Sequence, residues 1–306
     1  MFPHGRHQTP VGMVPSGRHV TLPGRGVTFV REMPGPPGAA TLLLLHGLAG
    51  TSGVNFAPAY EDLGEHFRVV ALDHRGHGRG VRAAARFTLE DCADDAVALA
   101  DVLGIDRFIP VGYSMGGPIA QLIWRRHPER VTGLVLCATS RNFRGYWHER
   151  LRFAGLGLLV AGLGVLPRRV VSELASQLPE ELVIAGDARW TLGEIRRHDP
   201  RSMLEAAEAI GRFTSGGWIG DLDVPVSVLV TSEDRVVPVH RQAKLAMAIP
   251  TAVVHVVDCS HMGPTSAPDR FAAGLVEASV QVERRAAKRS AGRPAAEGQA
   301  GATPEP

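Results

Sequence analysis

The sequence predicts an α/β protein: a mostly parallel, doubly wound sheet of eight strands with a helical cap inserted between the sixth and the seventh. Three observations carry this. Short continuous apolar runs recur at Thr41–Leu45, 67–72, 107–113, 131–138 and Val226–Thr231, as expected of strands buried on both faces. Segments of helical composition alternate with them, which implies right-handed crossovers between parallel neighbours. The alternation lapses for about eighty residues, 141–220, and then resumes, and that gap is too long for an ordinary loop.

Taken in order, residues 1–17 mix Pro, Gly, His and Arg and are expected to be a disordered lead. Residues 19–22 and 27–32 read as a hairpin, joined by Pro23-Gly24-Arg25-Gly26. The buried run Thr41–Leu45 ends in the glycine-rich His46-Gly47-Leu48-Ala49-Gly50, and the run 67–72 ends in Asp73-His74-Arg75-Gly76-His77-Gly78. Thr88 caps a helix, with Asp91 three residues on and Ala93, Ala96, Val97, Ala100 and Leu103 at helical spacing. The strand 107–113, the helix 119–127 stopped by Pro128 and the strand 131–138 follow. The cap, 141–220, has helical patterns at 151–166, 171–178, 181–184 and 202–210. The sheet resumes with Val226–Thr231, the helix Val239–Ala248, the strand Ala252–Val257 and a helix from Pro268 to about Arg285. The core is thus 18–140 plus 221–286, and 287–306, dominated by Ala, Gly, Pro, Glu and Arg, is expected to be a disordered tail.

Composition narrows the functions. A chain of 306 residues with 44% apolar content can bury a large core, and 33 basic against 31 acidic residues leave a net charge of +2, which offers no nucleic-acid surface. The three cysteines, Cys92, Cys137 and Cys259, are far apart in apolar surroundings and read as small buried residues of a reducing compartment. The N-terminus lacks the apolar core of a secretory signal. The longest apolar run, 151–166, carries Arg152 and falls short of the roughly 18–20 residues of a bilayer span. A cytoplasmic location is expected, with transient lipid contact through the cap the most that this composition allows.

The chemistry centres on Gly112-Tyr113-Ser114-Met115-Gly116, a G-x-S-x-G between a strand and a helix. A serine on such a turn sits in a strained backbone that needs small neighbours, and its hydroxyl is lifted clear of the sheet. Serine is a weak nucleophile at neutral pH, so it needs an imidazole as base and a carboxylate to hold the imidazole's tautomer. His261, in the loop after the last strand, is the candidate base. Asp234, after Val226–Thr231 and before a proline-opened helix, is the favoured acid, with Glu233 and Asp258 as rivals. Residues 138–141 contain no acid. An oxyanion needs two donors: the Met115 N–H at the helix start and, as the favoured second, the Leu48 N–H. His46 is read as structural, and the turn 73–78 as a brace behind the site.

These pieces together resemble the α/β-hydrolase superfamily: the His46-Gly47 loop, Asp73-x-Arg75-Gly76-His77-Gly78, Gly112-x-Ser114-x-Gly116, Ser232-Glu233-Asp234 and Ser260-His261-Met262 follow the third, fourth, fifth, seventh and eighth strands in the matching order. Within it the chain is similar to capped esterases, lipases, perhydrolases and C–C hydrolases. The resemblance implies a serine hydrolase that needs no cofactor or metal and acts on a small-molecule carboxylic ester, hydrophobic or lipid-like if the cap run 151–166 faces the pocket. Perhydrolysis, acyl transfer or C–C cleavage by the same triad is the alternative. Relatives with an Asp nucleophile are set apart by Ser114.

Overall fold

The computed structural model describes residues 14–143 and 188–291, together with Gly162. The strands are β1 (Gly17–Leu22), β2 (Gly26–Met33), β3 (Thr41–Leu45), β4 (Arg68–Leu72), β5 (Ile109–Tyr113), β6 (Leu134–Cys137), β7 (Val226–Thr231) and β8 (Ala252–Val257). They form one eight-stranded sheet in the order β1-β2-β4-β3-β5-β6-β7-β8. The pairs β1–β2 and β2–β4 are antiparallel and all the others parallel. The order reverses at β3 and β5, and in an open parallel sheet such a reversal leaves a crevice at the carboxyl ends of the strands.

The described helices are α1 (Ser52–Phe56), α2 (Tyr60–Gly64), α3 (Leu89–Val102), α4 (Gly116–Arg126), α5 (Ala188–Ile195), α6 (Pro200–Arg212), α7 (Val239–Ala248), α8 (Gly263–Ser266) and α9 (Pro268–Ala291). Strand periodicity sorts the core into two layers. Leu43, Leu45, Val70 and Leu72 meet Ala93, Ala96 and Ala100 of α3, Ile119 and Ile123 of α4, and Leu245 of α7. Leu42, Leu44, Val69 and Ala71 point the other way, onto Tyr60 and Leu63 of α2 and onto Phe271, Leu275, Ala278 and Val282 of α9. Those α9 positions fall on one helical face. Since burying a leucine is worth about 1.5–3 kcal/mol, the wholly buried β3 is strongly held between these layers.

Several elements differ from expectation. The helices α1 and α2 lie between β3 and β4, where five-residue pieces offer too few turns for a helical period to be read. Helix α4 starts at Gly116, directly under the serine turn, rather than at 119. At the front, β1 begins at Gly17, Val14 packs on the core and the Pro15 carbonyl accepts from Arg31, so ordered chain begins before residue 18. At the back, α9 continues through Ala291 and corrects the expected tail boundary at 287. Its last turns are rich in Ala, Arg and Lys, strong helix formers, and Arg289 reaches the carbonyl and carboxylate of Asp223.

Of the cap, 144–161, 163–187 and with them the expected helices 151–166, 171–178 and 181–184 lie outside the described residues. Its described part is helical, and the expected helix 202–210 is α6, capped by the Asp199 carboxylate on the Ser202 N–H. At the neck of the insertion Asn142 bridges to Thr214, and Ser215 donates through its N–H to the Arg141 carbonyl and through its hydroxyl to buried Gln121 of α4. Among the described residues no helix is long and apolar enough to cross a membrane.

Candidate active site

Ser114 sits directly after β5 with φ +53°, a left-handed conformation that costs a non-glycine residue about 1–2 kcal/mol. Neighbouring groups hold it there: its N–H donates to the Cys137 carbonyl (2.9 Å), and its carbonyl accepts from the Thr139 hydroxyl (2.8 Å) and the Gly117 N–H (3.0 Å). The flanking glycines are required by space. A Cβ on Gly116 would lie 1.9 Å from the Leu45 carbonyl oxygen, and one on Gly112 would lie 2.3 Å from the Gly116 carbonyl oxygen.

The loops after β7 and β8 bring the other two candidates to this serine. His261 Nε2 lies 3.1 Å from Ser114 Oγ, and His261 Nδ1 lies 2.7 Å from Asp234 Oδ2. All three residues are buried. The Asp234 carboxylate also accepts from the Val236 N–H (2.8 Å), the Val237 N–H (2.7 Å), the Thr231 hydroxyl (2.8 Å) and the Gln242 amide (3.2 Å). Every one of these neighbours donates, so the Asp234 oxygens serve as acceptors, the proton on His261 belongs on Nδ1 and the Nε2 lone pair faces the serine hydroxyl. A second contact fixes His261: the Tyr113 hydroxyl donates to its carbonyl, and burial pushes that phenol well above its usual pKa, which keeps it a donor.

The structure separates Asp234 from its rivals. Asp258 is exposed and engages the Ser232 hydroxyl and Arg270, while Glu233 is exposed at the surface. Sequence reasoning missed Thr231, Gln242 and Tyr113: the Tyr113 partner lies 148 residues away, and nothing local shows that Thr231 and the buried Gln242 of α7 turn their polar groups onto Asp234 rather than into solvent.

The loop after β3 faces Ser114 from the neighbouring strand, and a Cβ on Gly47 would meet the Ser114 Cβ at 3.1 Å. Gly50 N–H closes a turn onto the Gly47 carbonyl (3.1 Å), and Ala49 takes φ +59° at its third position. This is the dihedral that a type II turn requires there, and it leaves the Leu48 N–H outside the turn's own hydrogen bond. Among the described residues no protein acceptor takes the N–H of Leu48 or of Met115.

The turn 73–80 braces this loop from below. Asp73 accepts from the Ser52 N–H (2.9 Å) and hydroxyl (2.6 Å) and from the Arg79 N–H (2.9 Å), and Gly76 and Gly78 have φ of +72° and +49°. Arg75 forms a buried bidentate pair with Asp95 of α3 (2.7 and 2.8 Å).

The comparisons with known proteins agree with this geometry. A family model described as "alpha/beta hydrolase fold" matches residues 40–155. The chain is 30% identical over 254 residues to a putative carbamate hydrolase RutD of Caulobacter vibrioides, covering 80% of this chain and 93% of that one. It is 31% identical over 225 residues to the pimeloyl-[acyl-carrier protein] methyl ester esterase of Chromobacterium violaceum, covering 70% and 84%. The chain belongs to the α/β-hydrolase superfamily. The fold of this hydrolase is also that of a thermophilic esterase from Thermogutta terrifontis, with a TM-score of 0.68 at 24% identity, covering 87% of this chain and 99% of the other. As an α/β-hydrolase the chain is a hydrolytic enzyme.

Proposed function

We propose that this enzyme cleaves carboxylic esters through an acyl-enzyme, with Ser114 as nucleophile, His261 as general base and acid, and Asp234 as the group that orients His261. The observation that carries the reading is the continuous relay of Ser114 Oγ, His261 Nε2, His261 Nδ1 and Asp234 Oδ2, at 3.1 and 2.7 Å. His261 takes the Ser114 proton as Oγ attacks the ester carbonyl, and the Leu48 and Met115 N–H groups receive the oxyanion. Collapse of the tetrahedral adduct expels the alkoxide, which leaves with the proton from His261. Water then repeats the sequence on the acyl-enzyme, releasing the acid and restoring Ser114. The two N–H donors are supported by their freedom from acceptors among the described residues, and removing one such donor typically costs about 10²–10³ in rate.

For the substrate we propose a hydrophobic acyl group, on the strength of the leucine- and glycine-rich run 151–166 in the insertion. Each methylene buried there is worth about 0.8 kcal/mol, so several more carbons would raise kcat/KM ten- to a hundredfold. A carbamate is the second reading, favoured by the 30% identity to the putative carbamate hydrolase. It uses the same triad on an acyl carbon bearing nitrogen.

The test is kcat/KM for p-nitrophenyl acetate, butyrate and octanoate and for a p-nitrophenyl carbamate, with Ser114→Ala as the blank. Octanoate should exceed acetate by at least tenfold, and the alanine variant should lose both turnover and labelling by a fluorophosphonate probe. Full turnover by Ser114→Ala would refute the nucleophile. An octanoate-to-acetate ratio below one would refute the hydrophobic pocket and favour the small-acyl, perhydrolase or C–C hydrolase chemistries.

A further inference from the structure

Two imidazoles join the turn after β4 to the loop after β3 in the same way. His46 Nε2 accepts from the His74 N–H (2.9 Å), while its Nδ1–H donates to the Gly47 carbonyl (2.8 Å). His198 Nδ1 accepts from the Gly78 N–H (3.0 Å), while its Nε2–H donates to the Ala49 carbonyl (3.0 Å). An imidazole that accepts at one nitrogen and donates at the other is neutral, and burial holds both rings down to a pKa of about 3. Each ring therefore acts as a fixed strut between an amide below and a carbonyl of the Leu48 loop above.

The two struts come from different parts of the chain. His46 belongs to the loop itself, whereas His198 stands between α5 and α6 in the insertion. That segment is anchored independently. Buried Glu194 takes Arg79 (2.8 Å) and the Thr51 hydroxyl (3.3 Å), and the Asp199 N–H donates to the Gly76 carbonyl (2.8 Å).

We infer that His198 is a positioning residue for the oxyanion loop, which ties the left-handed Ala49, and with it the Leu48 N–H, to the docked state of the insertion. This rests on the ester-hydrolase reading above and deepens it: the cap segment would build part of the catalytic geometry as well as roofing the pocket. The Ala49 carbonyl lies one peptide beyond Leu48, so release of that carbonyl lets the turn relax toward the backbone that alanine prefers. A donor displaced by about 1 Å loses on the order of a hundredfold in rate. The effect should appear in kcat, because the oxyanion's charge develops only in the transition state.

The experiment separates the two nitrogens. His198→Asn keeps an acceptor where Nδ1 sits and loses the donor to Ala49, whereas His198→Gln keeps a donor where Nε2 sits and loses the acceptor for Gly78. Ester turnover in the full chain is measured per active site titrated with the fluorophosphonate, so that misfolded protein does not count. His198→Asn should lower kcat at least tenfold with KM within about threefold, and His198→Gln should recover most of the loss. A kcat for His198→Asn within twofold of wild type, or an equal loss in both variants, would overturn the strut. A wild type with no Ser114-dependent ester turnover would instead overturn the ester-hydrolase reading, and this inference with it.

Discussion

Mild acid should destabilise this protein well before its carboxylates titrate. Four imidazoles, His46, His74, His77 and His198, are buried in one cluster, with ring centroids 4.3, 5.2 and 5.4 Å apart along the sequence of contacts. Burial is the first cause in each: it holds His46 and His198 near a pKa of about 3 and His74 and His77 well below the usual histidine value. Among the described residues neither nitrogen of His74 has a hydrogen-bond partner, nor has His77 Nε2, so nothing stands ready to stabilise a proton there. An unfolded histidine takes up its proton near pH 6.5, whereas these folded ones stay neutral far below that. The unfolded state therefore binds more protons between about pH 6.5 and 3, and stability is complete above this window and is lost as pH falls through it. At pH 5.5 His46 and His198, held near a pKa of about 3, together cost on the order of 3 kcal/mol, and His74 and His77 add to the loss in the same direction, against a typical total stability of about 5–15 kcal/mol. Urea unfolding measured in steps from pH 7.5 to 5.0 checks this. Its pH slope near 5.5 should correspond to about two or more protons taken up on unfolding, and His198→Gln should remove about one of them. A slope of less than one proton in the wild type would refute the reasoning.

Two further substitutions follow from the geometry. Asp234→Asn should lower kcat by about 10³–10⁴, because the amide favours the wrong tautomer of His261, while Asp258→Asn, at an exposed carboxylate, should stay within twofold of wild type; an exchange of these effects would transfer the orienting role to Asp258. Gly116→Ala pushes a methyl group against the backbone of Leu45 and should cost about 3 kcal/mol or more in thermal unfolding, whereas Gly211→Ala, with open space around its Cβ on α6, should gain a few tenths to about 1 kcal/mol; similar shifts in Tm for the two would contradict the packing argument.

Much of this protein is decided by patterns short enough to read along the chain. Five apolar runs and their alternation with helical segments specify the sheet, because a strand buried on both faces has no polar positions to offer. The G-x-S-x-G turn specifies Ser114, because a left-handed serine pressed between β5 and α4 tolerates only glycine at its flanks. His261 is legible from its place after the last strand. Other features rest on which way side chains turn or on partners far apart in sequence, and only the tertiary structure decided them. Asp234 stands out from Glu233 and Asp258 because Thr231, Gln242 and two amides converge on it with His261. The last turns of α9 carry a contact of Arg289 with Asp223, 66 residues away, that only the fold brings about. His198 carries no mark in the sequence. Its two partners, Gly78 and Ala49, lie 120 and 149 residues away, and both bonds are to backbone atoms, so only the folded chain brings the donor and the acceptor to its ring.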